Sequence, residues 1–188
     1  MKTTIKLFAA ISLISTFALS NFVQAQNASN TIAANATVVG AISVAATQTL
    51  EFGNLAVSGP KTISLAGAGS GGVTGGTQQQ GIFTIQKGAN TSVDLTYTAI
   101  PSALNILSGT ALLPITYVST WGTSPTTGVG GTTVSVVLND ITIVPQNTAA
   151  ATIYVHLGGT VTPDLTPGST MTTAGVYAAN VTLKAEFN

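Results

Sequence analysis

The stretch Gly175 to Asn188, GVYAANVTLKAEFN, alternates without a break. Gly175, Tyr177, Ala179, Val181, Leu183, Ala185 and Phe187 share one side of a period-two ribbon, and Val176, Ala178, Asn180, Thr182, Lys184, Glu186 and Asn188 share the other. This is the pattern of a β-strand with one buried face. Such a strand needs a neighbour on each edge or a device that blunts an edge. The sequence ends at Asn188, so no later segment can supply that neighbour.

The preceding residues are also β-like. Short runs rich in Val, Ile, Thr, Phe and Tyr are separated by clusters of Gly, Pro, Ser, Thr and Asn, as in an all-β sandwich or barrel. Strands are expected over residues 31–47, 49–54, 61–66, 81–86, 92–99, 112–119, 132–138, 141–144, 150–157 and 176–187. Several have a single apolar face, for example Val93, Leu95 and Tyr97, or Ile153, Val155 and Leu157. Each such face needs a second sheet to cover it, so two packed sheets are the simplest architecture. The glycine-rich stretches 67–76 and 128–131 read as loops within one domain.

Residues 31–47 alternate for about sixteen positions, with Ile32, Ala34, Ala36, Val38, Gly40, Ile42, Val44 and Ala46 on one face. At strand rise that is roughly 50 Å, long for a strand in a domain of this size. An extension that leaves the domain, followed by a first strand, accounts for the length. Ahead of it, Lys2 and Lys6, an apolar run from Leu7 to Leu19 and the small residues of Val23-Gln24-Ala25 read as a secretory signal covering residues 1–25. The apolar run is too short to span a bilayer comfortably, and no transmembrane helix is expected. The product is expected to be exported.

Removing residues 1–25 leaves Lys61, Lys87 and Lys184 against five acids, a side-chain charge of −2, and the chain contains no arginine. That balance argues against a nucleic-acid partner or an anionic membrane surface, both of which call for a basic stripe. There are no cysteines, which excludes a disulfide framework and a thiolate metal site. Charged residues are only 5% of the chain, against roughly 25% in usual soluble domains. So few charges give poor protection against association, as expected of a chain packed against copies of itself.

Catalytic chemistry has no visible machinery. Gly67-Ala68-Gly69-Ser70-Gly71-Gly72 satisfies G-x-G-x-x-G, but the glycine- and glutamine-rich residues that follow cannot start the helix a dinucleotide site requires. His156 is the only histidine, and alternation through Val155 and Leu157 points it away from the core. The acids are scattered singly and no G-x-S-x-G occurs. Trp121 beside Gly122 suits core or rim packing better than a sugar-stacking platform. No catalytic, metal or cofactor site is assigned.

The final fourteen residues resemble the C-terminal strand of chaperone–usher pilins: a glycine fourteenth from the end (Gly175), alternating apolar positions and a penultimate aromatic (Phe187). Leu50-Glu51-Phe52-Gly53, Gly158-Gly159-Thr160 and the spacing of Gly175, Tyr177, Val181 and Leu183 also resemble a family of uncharacterised, pilin-like bacterial surface proteins with an L-x-F-G motif. The absence of cysteine points to a cysteine-less branch.

The resemblance implies an immunoglobulin-like β-sandwich, incomplete in itself and finished by the donor strand of another subunit. Residues 26–46 would then be the donor extension and 47–188 the sandwich. Ile32, Val38, Ile42 and Val44 would be the donor's plugs with Gly40 as a small notch, and Gly175, Tyr177, Val181, Leu183 and Phe187 would form the acceptor strand. The implied product is a head-to-tail fibre of identical subunits on a bacterial surface, supporting adhesion or biofilm, with a periplasmic chaperone and an outer-membrane usher as possible helpers. Three other readings share the all-β, exported character: a monomeric binding domain that completes its own sheet, an outer-membrane barrel and, with least support, an exported enzyme.

Overall fold

In the computed structural model, which describes residues 41–55, 59–71, 75–146, 148–163 and 174–188, the β-like runs become twelve strands, with no helix among the described residues. The larger sheet runs in the order β1 (Ser43–Gln48), β4 (Gly81–Gln86), β10 (Thr152–Val161), β7 (Leu112–Gly122), β6 (Ala103–Ile106) and β11 (Tyr177–Ala178). β2 (Lys61–Ile63) also pairs with β10, β3 (Gly69–Ser70) with β2, and β8 (Thr132–Thr133) with β7. The smaller sheet has three strands, β12 (Thr182–Phe187), β5 (Val93–Ala99) and β9 (Ile141–Val144), in that order. Every pairing is antiparallel.

Alternation explains how the sheets meet. On β10, Ile153, Val155 and Leu157 turn inward and are almost wholly buried, and on β5, Val93, Leu95 and Tyr97 are fully buried. With Ile85, Trp121, Val134, Val144 and Leu183 they form one core shared by both sheets. Each such side chain contributes ~1.5–3 kcal/mol by leaving water. A second core, made of Phe52, Ile63, Leu113, Ile115 and Val161, lies under the other part of the larger sheet and takes no residue from β5, β9 or β12. The smaller sheet covers only part of the larger one.

The L-x-F-G segment closes this second region. Glu51 bridges Gln79, so Leu50 and Phe52 point to the opposite side, where Phe52 is buried and Leu50 packs against both cores. Gly53 then turns at φ +71°, and a Cβ there would lie 2.8 Å from the Gly75 carbonyl oxygen. Only glycine meets both conditions without strain. The expected strand over 49–54 is thus reduced to a single bridge and a turn.

Several expected elements differ in extent. β10 continues to Val161, four residues beyond the expected end, because Gly158 to Val161 still pair with β7. The expected strand over 132–138 is only Thr132–Thr133, after which the chain leaves β7 toward the smaller sheet. β6 was not anticipated, since ALNI shows no clear alternation; it forms because β7 offers an edge at Leu112 to Pro114. Residues 67–76, expected as a loop, include the short β3 on β2.

His156 departs from expectation most clearly: it faces outward from β10, yet its exposure is 0%. The segment 123–131 covers it, and its Nε2 lies 2.9 Å from the Ser124 carbonyl oxygen. Lys61 and Lys87 are also buried. Lys87 Nζ donates to the carbonyls of Gly88, Thr91 and Thr148 at 3.3, 3.0 and 3.2 Å, and burial lowers its pKa. No helix among the described residues is long and apolar enough to cross a membrane.

Tyr97 lies at the centre of the shared core. Its hydroxyl is 2.8 Å from Ser119 Oγ, which donates to the His156 carbonyl at 3.0 Å, so the phenol is the donor to Ser119. Burial pushes the phenol's pKa up to about 12. The folded value therefore exceeds the unfolded one of about 10, and the associated stability is complete below pH 10 and declines as pH rises from 10 to about 12. Ultraviolet titration of the folded protein should show a tyrosine ionising near the upper end of this range, and Tyr97→Phe should remove it. Ionisation of every tyrosine near pH 10 while the fold persists would contradict the assignment.

Candidate functional site

Two strand edges frame the site. Among the described residues, β12 pairs with β5 on one side and with no strand of its sheet on the other, and β1 likewise pairs only with β4. The two strands are neighbours across the sandwich. An unpaired edge presents a row of backbone N–H and C=O groups that can template another strand.

At one end of this seam lies a hollow of about 970 Å³. Its floor is the inner face of the larger sheet, where Phe83, Leu113, Ile115, Tyr117 and Leu157 line it. One side is formed by residues 48–55, including Leu50, Phe52 and Leu55, and the other by residues 174–181. The smaller sheet does not reach this region, so the second core is left partly roofed. Glu51 is the only charged residue on the described lining. Burial raises the pKa of the half-buried Tyr117, keeping its phenol neutral at ordinary pH.

The expected acceptor residues are divided between the sheets. Tyr177 belongs to β11 and pairs with Ile106 of β6 in the larger sheet, whereas Leu183 and Phe187 belong to β12 in the smaller one. The continuous strand expected over 176–187 is therefore interrupted at 179–181, where the chain crosses between sheets, and pairing resumes with a register shift at Thr182 and Leu183. Period-two alternation survives the crossing. Leu183 is buried, Val181 and Phe187 are half-buried against the shared core, and Val181 also lines the hollow. Gly175 abuts Ile106, whose Cδ1 would lie 2.6 Å from an added Cβ, so a larger residue would require the Ile106 side chain to move.

Of the expected donor residues, Ile32, Val38 and Gly40 lie outside the described residues. Ile42 packs against the shared core, and Val44 sits on β1 opposite Ile85, 37% exposed. Ser43 to Ala46, assigned from sequence to the donor extension, thus run antiparallel to β4 of the same chain. The outward residues of β1 gain a hydroxyl contact, Thr47 Oγ1 to Thr84 Oγ1 at 2.9 Å.

Sequence reasoning missed the floor of the hollow, in particular Leu104, Leu113 and Leu157. The available signal was a surplus: more inward-facing residues lie on 112–119 and 150–157 than a short facing sheet can cover. Trp121 is 91% buried, which removes it as a stacking platform, and its Nε1 has no hydrogen-bond partner among the described residues. Among the described residues no group of three His, Cys, Asp or Glu side chains is placed to hold a metal. No protein-family model matches the chain, and a search of curated proteins finds no match.

The hollow is lined largely by apolar groups and can accept an apolar chain segment or a small apolar molecule. An environment-sensitive dye such as anilinonaphthalene sulfonate should brighten in it. Val181→Asn, which places an amide on a half-buried wall, should weaken dye binding severalfold with little loss of thermal stability. Unchanged dye affinity in that variant would place the binding elsewhere.

Proposed function

We propose that the chain is a structural subunit of a bacterial surface fibre, assembled by β-strand addition between copies and supporting adhesion or biofilm. The observation that carries this reading is the hollow beside 174–181, at the end of a seam between two strand edges that have no partner among the described residues. A strand entering the seam would hydrogen-bond along β12 and bury alternate side chains in the hollow. The alternating residues before Ile42, with Ile32 and Val38 as plugs and Gly40 as a notch, have the pattern such a strand requires. Because Ile42 packs against the shared core and β1 begins at Ser43, the exchanged part in this proposal is 26–41.

Each Ile or Val plug contributes ~1.5–3 kcal/mol by burial, and each net ladder hydrogen bond ~0.5–1.5 kcal/mol. Ordering and association costs remove a large part of that sum. The contact joins unlike surfaces and does not close on itself, so it propagates as a filament. The low charge supports the same reading, since little electrostatic repulsion opposes side-by-side copies. Export through the periplasm, with a chaperone and an usher as helpers, belongs to the same proposal.

A second reading has one observation in its favour. The hollow falls at the upper end of the roughly 300–1,000 Å³ usual for small-molecule sites, which suits a monomeric exported domain that binds an apolar ligand.

Chain lacking residues 1–25 should give a ladder of high-mass species on an unheated SDS gel and one monomer band after boiling. Deleting 26–41, which spares β1, should abolish the ladder, and a synthetic peptide of residues 29–42 should bind the truncated protein and raise its Tm. A single band in both lanes for the longer chain, with no peptide binding by the shorter one, would replace the fibre with the monomeric reading.

A further inference from the structure

The floor of the hollow has one side chain with a hydrogen-bonding atom, that of Tyr117; Phe83, Leu104, Leu113, Ile115 and Leu157 beside it have none. Tyr117 packs against both cores. Its partner across the strands is Gly159 of β10, which has no side chain to offer. Two residues on along β7, Ser119 is already engaged, since it accepts from Tyr97 and donates to the His156 carbonyl. Tyr97 is thus partnered within the protein, whereas the hydroxyl of Tyr117 makes no hydrogen bond with any described residue.

An open hollow leaves that hydroxyl to solvent. A wholly apolar guest laid over it would exclude solvent and strand the donor, which costs the full desolvation of the group. A guest with an oxygen above Tyr117 accepts the hydrogen instead. A site built around such a group discriminates against analogues that cannot satisfy it.

Charge narrows the class of guest. The described lining includes Glu51 and no lysine, arginine or histidine. Lys61, Lys87 and Lys184 lie elsewhere and are engaged, by Gln78 Oε1 at 2.9 Å, by main-chain carbonyls and by Glu186 at 2.6 Å. A carboxylate set against Tyr117 would lose hydration with no cation to receive it, and an ammonium would meet the same cost on an apolar floor. Turned round, with the charged head at the mouth, either molecule would cover Tyr117 with its aliphatic body and leave the hydroxyl unsatisfied.

We propose that the hollow takes a small uncharged amphiphile, an aliphatic molecule with a single alcohol, ketone or ester oxygen, and that this oxygen hydrogen-bonds the Tyr117 hydroxyl. The inference rests on the second reading above, of the hollow as a small-molecule site. Tyr117 then sets both the chemical class of the guest and its orientation, with the oxygen at the floor and the aliphatic body against Phe83, Leu113 and Leu157.

Calorimetric titration of the chain lacking residues 1–25 at neutral pH, with 1-octanol, octanoate and octylammonium as probes of one chain length, tests this. 1-Octanol should bind tightest, with both ions weaker by about tenfold or more. Tyr117→Phe should weaken 1-octanol by about three- to tenfold and leave the ions unchanged, a selective loss that a merely distorted hollow would not give. An ion that binds as tightly as 1-octanol, or a Tyr117→Phe chain that keeps its affinity for 1-octanol, overturns the assignment while the hollow remains a small-molecule site. Failure of all three probes to bind removes both the assignment and that reading. The comparison among probes on the wild-type chain decides the matter even if the variant fails to fold.

Discussion

A three-stranded sheet packed over a much wider one is the constraint from which the other features follow. Where β12, β5 and β9 lie over β4, β10 and β7, inward side chains from both sheets interlock and leave Val93, Leu95, Tyr97, Ile153 and Val155 with no exposure. Where the smaller sheet stops, the apolar face of the larger one continues over Leu113 and Ile115. Residues 48–55 and 174–181 flank that remainder without filling it, and the hollow is the space between them.

The same asymmetry explains the local devices around the site. Leu50 and Phe52 reach inward because Glu51 is tied to Gln79, and the Gly53 turn lets the chain leave immediately afterward. Gly175 allows the returning chain to lie against Ile106 before it crosses to the smaller sheet. The motifs that resemble pilin-like surface proteins are therefore, in physical terms, the residues that carry backbone around the uncovered part of a sandwich. In the proposed fibre, a strand-shaped apolar guest would supply side chains to the hollow and backbone partners to the edge.

Much of the sandwich was legible in the sequence. Alternation identified the inward faces of 81–86, 92–99, 112–119 and 150–157, since burial selects every second residue of a ribbon whatever its partner. It did not identify β6, whose four residues lack the pattern, and it overextended 132–138, where buried Val134 belongs to chain leaving a strand. The candidate site was legible at its C-terminal wall, through Tyr177 and Val181, but its floor was not: Leu113 and Leu157 read as ordinary core. Whether an inward residue meets a partner depends on the width of the opposing sheet, which no local pattern reports.

By itself the sequence determined that the chain is β-structured, that two sheets must cover one another, and that few charges and no cysteines leave burial and backbone pairing as the means of stability. These properties belong to individual residues and their nearest neighbours along the chain. Tertiary structure alone decided that 175–187 divides between two sheets, that outward-facing His156 is enclosed by 123–131, and that apolar residues of the wider sheet remain uncovered. Each of those outcomes depends on which distant segment arrives above a given face, and alternation constrains the face of a strand without specifying what will be laid over it.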